Sequence, residues 1–506
     1  MSSLRTALAV AAAALLLHAP CVAQAVSHPR DQVALDAVTS GIINLPITTT
    51  SAAARNHFLM GQRELDLGRM FDANAHFKAA VEADSNFALA YLNVANTGNS
   101  FAEFRTNLEL AERHAAGASD AERLQIQIAR KGLDNDVTGQ LVLAQQLVAK
   151  YPQSPRTYLV LASVQTALNR HVDARVSIMK AVSLAPRLLV SHTDLGNSYL
   201  FGEPKDFVKA LESMRQAEAL APNEPSMHDL LGDVYRAQNN LDQARAEYTR
   251  GHELNPADAS LLQQRGHVNS FAGDYAAARA DYDSAMALGR GNERAGFAPF
   301  RAYVNLYAGA PQEAIAELNR LVAGVDTMNV PGALGVKIAA LTDIAVIAIH
   351  NKDFATAEQA LKLRAPLLLQ QASGSGSASF QRGTEANIAY FDGWLAARRG
   401  DYAAAGKAAD HVAALVTLDQ NPRKLEPVHE LKGYVALYQG NFREAAAQFA
   451  QGNLADPYVK FQYAVALLST GEKAKGNQLM REVASYNFNT AGYALIRKDA
   501  QQQPIS

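Results

Sequence analysis

Small and apolar residues return along this chain with a period of 34 or 35, and the stretches between them are polar. One period shows Leu161, Ala162, Ala174, Ile178 and Ala181, closed by Pro186. Another shows Leu231, Gly232, Tyr235, Ala244, Tyr248 and Gly251, closed by Pro256. Between them, Leu195, Gly196, Tyr199, Ala210, Met214 and Ala217 repeat the order up to Pro222, with two extra residues around Glu203-Pro204. The closing proline of each period would end a helix. A turn pattern recurs in the same frame: Gly68-Arg69-Met70, Gly273-Asp274-Tyr275, Lys352-Asp353-Phe354, Gly400-Asp401-Tyr402 and Gly440-Asn441-Phe442, each with an alanine three residues on.

The pattern resembles the tetratricopeptide repeat, and the resemblance implies an all-α superhelical solenoid of helix–turn–helix units. About eleven units are expected between Ala54 and Asn487. Some are degraded: Ala88–Ser119 lacks the alanine of the second helix, Ala121–Ser154 keeps only the Pro152 end, and the last unit has Gly476 in place of alanine. The stretches Phe58-Leu59-Met60-Gly61, Ala88-Leu89-Ala90-Tyr91 and Ala118–Leu124 are also similar to repeat arrays fused to bacterial Ser/Thr kinases and regulators. No kinase set accompanies them, so this second resemblance implies interaction or regulation and carries no catalysis.

The expected organisation is a secretory signal over 1–25, a tail over 26–51, an N-terminal array over 52–288, a C-terminal array over 289–500 and a disordered end over 501–506. Arg5, the apolar run Ala7–Leu17, Pro20 and Ala23-Gln24-Ala25 have the layout of a cleaved export signal. Lipoprotein anchoring through Cys21 is disfavoured by His18 and Pro20. No later apolar stretch is expected to reach spanning length, which places the mature chain in the periplasm or outside the cell. The tail, with Ile47-Thr48-Thr49-Thr50, is expected to lie on the first repeat. Gly289-Arg290-Gly291-Asn292 suggests a bend, and Ser373-Gly374-Ser375-Gly376-Ser377 (an insertion near 373–379) suggests a flexible exposed loop.

Composition narrows the function classes. Lys+Arg at 47 and Asp+Glu at 49 leave a net charge of -2, which offers no basic footprint for nucleic acid. A single cysteine builds neither a disulfide framework nor a thiolate metal site. No His-Glu-x-x-His run and no Gly-x-Ser-x-Gly elbow occurs. His57, His192, His228 and His429 recur at one repeat position, but a closed metal site wants three or four converging ligands. No cofactor, metal or enzymatic activity is expected.

A solenoid needs contacts only between neighbours, so the inner face of its first helices is available to a partner. Counted from Gly232, that face carries Ser226, Asp229, Asp233 and Arg236, and adjacent units add Thr193, Asn197 and Phe201, then Gln263, His267 and Phe271. Asn197, Asp229, Asp233, Arg236, Gln263 and His267 are the candidate residues of a concave protein-binding groove; the alternative is a solvated face. The Lys–Asn clamp for a C-terminal carboxylate is absent, since Leu92 and Thr193 stand where lysine is required. In the C-terminal half, Tyr390, Trp394 and Arg398 share one inner helix and Glu430, Tyr434 and Tyr438 the next. Clustered rings with one Arg and one Glu suit a partner hot spot or a sugar-stacking surface, unless they fill the space between repeats. The expected function is a non-catalytic protein-binding scaffold or adaptor in the bacterial cell envelope. The alternative is a small-molecule or glycan receptor built on the aromatic groove.

Overall fold

The computed structural model describes residues 43–98, 100–289, 292–330, 332–486 and 488–502. The signal segment, Cys21, the junction at residues 290–291 and the last four residues lie outside them. Among the described residues the chain is all-α: twelve successive helix pairs and one closing helix, Ala491–Gln502. Repeat counting expected about eleven units. The degraded stretches each form a full pair: Ala88–Thr97 with Phe101–His114, and Asp120–Leu133 with Val137–Lys150. Local capping supplies the helix ends that the weakened apolar pattern does not mark. Ser100 accepts from Glu103 N–H, Ser119 and Glu122 form a capping box, and Asp136 accepts from Gly139 N–H.

The recurring turn pattern is a capping device. Gly273, Gly400 and Gly440 adopt left-handed φ of +83°, +88° and +78°, a conformation glycine reaches without a Cβ clash. The next residue then caps the second helix: Asp401 accepts from Ala404 N–H and Asn441 from Glu444 N–H. Gly232 has a different task. A Cβ there would lie 2.4 Å from the Tyr248 ring, which is fully buried and tied by its hydroxyl to Asp233. Alanine exceeds glycine by roughly 1 kcal/mol in helix propensity, but overpacking against an immobile ring costs about 1–3 kcal/mol. Gly232→Ala should therefore lower the urea midpoint of the first unit; an unchanged or raised midpoint would show that Tyr248 gives way.

Two compact units divide the chain, one running to Arg265 together with residues 288–290, the other comprising the rest from Gly266. The division expected at Gly289 falls inside helix Ala259–Ala272, because Ala278 and Tyr282 share a buried core with Ala295, Phe300 and Tyr303.

In the first unit the array folds back on itself. The turn after the first helix, Asp66 to Arg69, reaches helices that begin 90 to 160 residues later. Arg156 donates to both Asp66 carboxylate oxygens (3.0 and 2.7 Å), Arg69 pairs with Glu224 at 2.5 Å, and the Ser226 hydroxyl donates to the Leu67 carbonyl. Leu67 itself is buried among Leu189, Leu200, Met214, Met227 and Leu231. Of the tail, residues 26–42 lie outside the described residues; over 43–49 it has no regular secondary structure, and it runs beyond the first repeat. Thr49 donates to Asp84, and Thr48 donates through its hydroxyl (2.6 Å) and backbone N–H (2.9 Å) to Glu122 of the third pair.

In the second unit, Ser373–Ser377 is a short turn whose Ser373, Gly374 and Gly376 are exposed. It joins Phe354–Ser373 to Ala378–Arg399, its Ser375 and Ser377 are buried, and Ser377 caps the second of these helices. Helix Ala333–His350 corrects the expectation about spanning segments: its 18 residues, at mean hydropathy 1.7, are long and apolar enough to cross a membrane by length and composition. In this fold Ile338, Leu341, Ile344, Ile347 and Ile349 bury that apolar surface in the core of the unit. Helix Ala491–Gln502 packs onto Asn292–Tyr307, Ala333–His350 and Pro457–Thr470, so the chain end helps to close the unit that contains it.

Candidate functional site

The polar stripe expected along the first unit is real as a line of residues, but it is not an open surface. Asp233 is 1% exposed, and Asn197, Arg236 and Gln263 are also buried, while Asp229 is half-buried. Asp233 and Arg236, three residues apart on helix Pro225–Ala237, form an ion pair at 2.6 Å. The pair is embedded: the Tyr248 hydroxyl donates to Asp233 at 2.7 Å, and Arg236 donates to Gln264 at 2.9 Å. Two charges removed from water survive only when each is paired and hydrogen-bonded, and here both conditions hold. Burial pushes the Tyr248 hydroxyl well above its usual range, so it stays a donor. Near this stripe, Asp194 is pushed up to about 7 by burial and by the neighbouring Asp66 carboxylate. His267, the remaining stripe residue, belongs to the second unit, where it is buried with its Nδ1 2.7 Å from the Tyr282 hydroxyl.

The aromatic set of the second unit is brought together as the spacing implied, yet the rings face one another. Trp394 is 3% exposed, stacks on Tyr434 at a centroid distance of 5.3 Å and meets Tyr458 edge-on at 5.6 Å. Its indole N–H donates to the Tyr438 hydroxyl at 3.4 Å. Arg398 lies over the Tyr438 ring at 4.8 Å and donates to the carbonyls of Ile349 and His350. Tyr390 donates to Glu430 at 2.7 Å, and the other Glu430 oxygen accepts from Asn453 N–H. The expected stacking surface for a sugar is thus consumed by inter-repeat contacts, because offset ring pairs bury more area against each other than an open groove would leave.

Glu430 carries a consequence for pH. Burial, the largest influence, raises its carboxyl to about 7 from 4.5. The folded value lies above the unfolded one, so folding favours the protonated acid. Its contribution is complete below about 4.5, declines as pH rises and levels off above about 7, a span of about 3 kcal/mol. Asp343, also pushed to about 7 by burial, acts in the same direction. His350, held down to about 4, acts oppositely between that value and 6.5. The share of Glu430 is therefore a difference: Glu430→Gln should gain stability relative to wild type as pH is raised from 4.5 to 7, in urea unfolding of the two proteins. Parallel curves would deny the buried-acid assignment.

The recurring histidines also have structural tasks. His228 lies 2.8 Å from Glu247, His429 lies 2.9 Å from Gln448, and His57 lies 3.4 Å from His76. In all three the partner stands 19 residues later, on the second helix of the same pair. His192 breaks the rule and contacts the Pro186 carbonyl at 2.7 Å. Among the described residues no group of three or more His, Cys, Asp or Glu is arranged to hold a metal ion. A cleft of about 500 Å³ between Glu112 and Leu143 is lined by Arg123, Gln127, Arg130 and Lys131. Its cations are engaged, Arg130 with Glu112 at 2.6 Å and Lys131 with Asp136 at 2.7 Å.

What repeat spacing does not reveal is an exposed apolar stripe. Val172 (59% exposed), Val176 (58%) and Met179 line one face of helix His171–Leu184 at i, i+4 and i+7. The equally long second helices on either side each carry one exposed valine at a matching position, Val142 in Val137–Lys150 and Val208 in Phe207–Leu220.

Residues 225–258 match the tetratricopeptide repeat family. A 195-residue part of the chain (38% of it) is 28% identical to anaphase-promoting complex subunit 3 of Schizosaccharomyces pombe, covering 29% of that protein. A 145-residue part (28%) is 30% identical to protein O-mannosyl-transferase TMTC1 of Mus musculus, covering 15% of it. The chain thus spans less than a third of either relative. Among solved structures, yeast Tom70 aligns over 89% of this chain and 96% of its own, at 14% identity and a TM-score of 0.36. Residues 225–258 form a tetratricopeptide repeat, set within an all-α array of helix pairs.

Proposed function

We propose that this chain is a non-catalytic protein-binding scaffold of the bacterial cell envelope, exported by its first 25 residues. The exposed Val172–Val176–Met179 face supports the reading most directly. Exposed apolar surface on a folded unit is a feature of protein interaction sites, and here three such side chains share one face of a single helix. The polar stripe with Asn197, Asp229, Asp233, Arg236 and Gln263 serves the scaffold from within, by holding the first helices in register. Tetratricopeptide repeats are protein-interaction modules, which agrees with the match over 225–258.

Val172→Glu/Val176→Glu tests the reading, used beside wild type as bait on envelope extract. Both positions are exposed, so the variant should keep its helical circular dichroism and melting point and lose at least one specifically captured protein. Equal capture by both would remove the stripe from the binding surface. Export is tested separately by the N-terminal mass of the protein recovered from the periplasm or medium, expected to begin at Val26.

A further inference from the structure

The cleft of about 500 Å³ at the junction of the two degraded units combines charge with apolar surface. It lies between helix Phe101–His114, with the turn Ala115–Gly117 that follows it, and helices Asp120–Leu133 and Val137–Lys150. Its apolar lining is Ala115, Ile126 and Leu143. Arg123, Gln127, Arg130 and Lys131 fall at i, i+4, i+7 and i+8 of one helix and so share a face. Three cations against the single carboxylate of Glu112 leave the lining net positive, although the whole chain carries a net charge of -2. The ion pairs of the cleft do not exhaust its donors. Arg130 gives its Nε and one terminal nitrogen to Glu112, both at 2.6 Å, and its other terminal nitrogen has no partner among the described residues. Gln127 is exposed, and its amide has no partner among the described residues either. Arg123 pairs with Asp120 and Lys131 with Asp136, and both cations stay partly exposed. Pairs of that exposure are weak and exchange readily for a ligand.

We infer that this cleft binds an amphipathic carboxylate, a small acid whose charged head sits on a short aliphatic body. The Gln127 amide and the unused Arg130 nitrogen hold the head, and Ala115, Ile126 and Leu143 cover the body. Clefts of this volume take small molecules, and a guanidinium suits a carboxylate because its N–H groups match the two oxygens. A neutral apolar ligand would leave the positive lining uncompensated. A small polar anion would leave the apolar lining against water. Glu112 competes with the ligand for Arg130, so it holds the affinity below what the cations alone would give. The site is independent of the protein-binding reading and lies on other helices than the Val172–Val176–Met179 face.

The test is isothermal titration of the full chain with octanoate, beside octan-1-ol (the same body without the charge) and acetate (the same head without the body). Octanoate should bind about tenfold more tightly than either control. Arg130→Gln should weaken octanoate about tenfold, and Glu112→Gln should tighten it, because the guanidinium is then free for the ligand. A pair with a structural role alone would make both of these variants shift binding the same way, so the opposite signs carry the assignment. No octanoate binding, octan-1-ol or acetate binding as tightly as octanoate, or equal affinity of wild type and Arg130→Gln overturns the proposal. Should Arg130→Gln lose its helical circular dichroism, Gln127→Leu/Lys131→Met takes its place with the same expected loss and the same overturning result. Val172→Glu/Val176→Glu should bind octanoate as wild type does, which separates failure of this cleft from failure of the outer stripe.

Discussion

Arg236→Ala should destabilise the first unit by about 3–5 kcal/mol, more than any other single substitution in that unit considered above. The reason is what remains. Asp233 would keep its charge in a site 1% exposed, with its cationic partner gone while the Tyr248 hydroxyl and the Gln264 amide still face it. Most of the loss therefore measures a stranded carboxylate, not the worth of the ion pair, whose net value against an apolar replacement is small. Asp233→Asn/Arg236→Met separates the two. It removes both charges and keeps an acceptor for Tyr248, and it should recover most of the stability. Urea unfolding of the three proteins, with hydrogen exchange to locate the effect in helix Pro225–Ala237, makes the comparison. A loss below about 1 kcal/mol for Arg236→Ala would mean that water reaches Asp233 and that the stripe is open after all.

Trp394→Ala should cost the second unit about 3–5 kcal/mol by leaving a cavity among Phe391, Tyr434 and Tyr458. Trp394→Phe should cost much less, because a ring still stacks on Tyr434 and only the indole N–H contact to Tyr438 is lost. Since Trp394 is the only tryptophan in the chain, its emission reports on this site alone. It should be that of a buried indole and resist acrylamide quenching. Quenching comparable to a free indole, together with a mild effect of Trp394→Ala, would return the aromatic set to the status of an exposed surface.

The helix pairs were legible because their causes are local. A glycine or alanine at the crossing, a left-handed residue followed by a capping Asp or Asn, and a closing proline all act within one repeat, and these signals locate Pro225–Ala237 and Leu241–Leu254 without reference to anything distant. The degraded units were harder to read because their ends depend on the caps Ser100, Ser119 and Asp136, which fall outside the apolar pattern. The candidate residues were likewise correctly grouped, Asp233 with Arg236 and Trp394 with Tyr434, since residues at i, i+3 or at equal positions in adjacent repeats become neighbours in any such array.

Exposure was not legible, because it depends on partners remote in sequence. Arg69 meets Glu224 across 155 positions, and Asn489 meets His267 across 222. No periodicity announces either contact, yet such contacts cover inner faces that repeat geometry alone would leave open. By itself the sequence determined the helix pairs, their turns and which side chains share a face, since these follow from backbone preference and short-range spacing. Only the tertiary structure decided which faces meet water. That depends on how each array curves, and curvature sums small differences at every helix crossing until an early turn or a terminal helix comes to rest on a distant one.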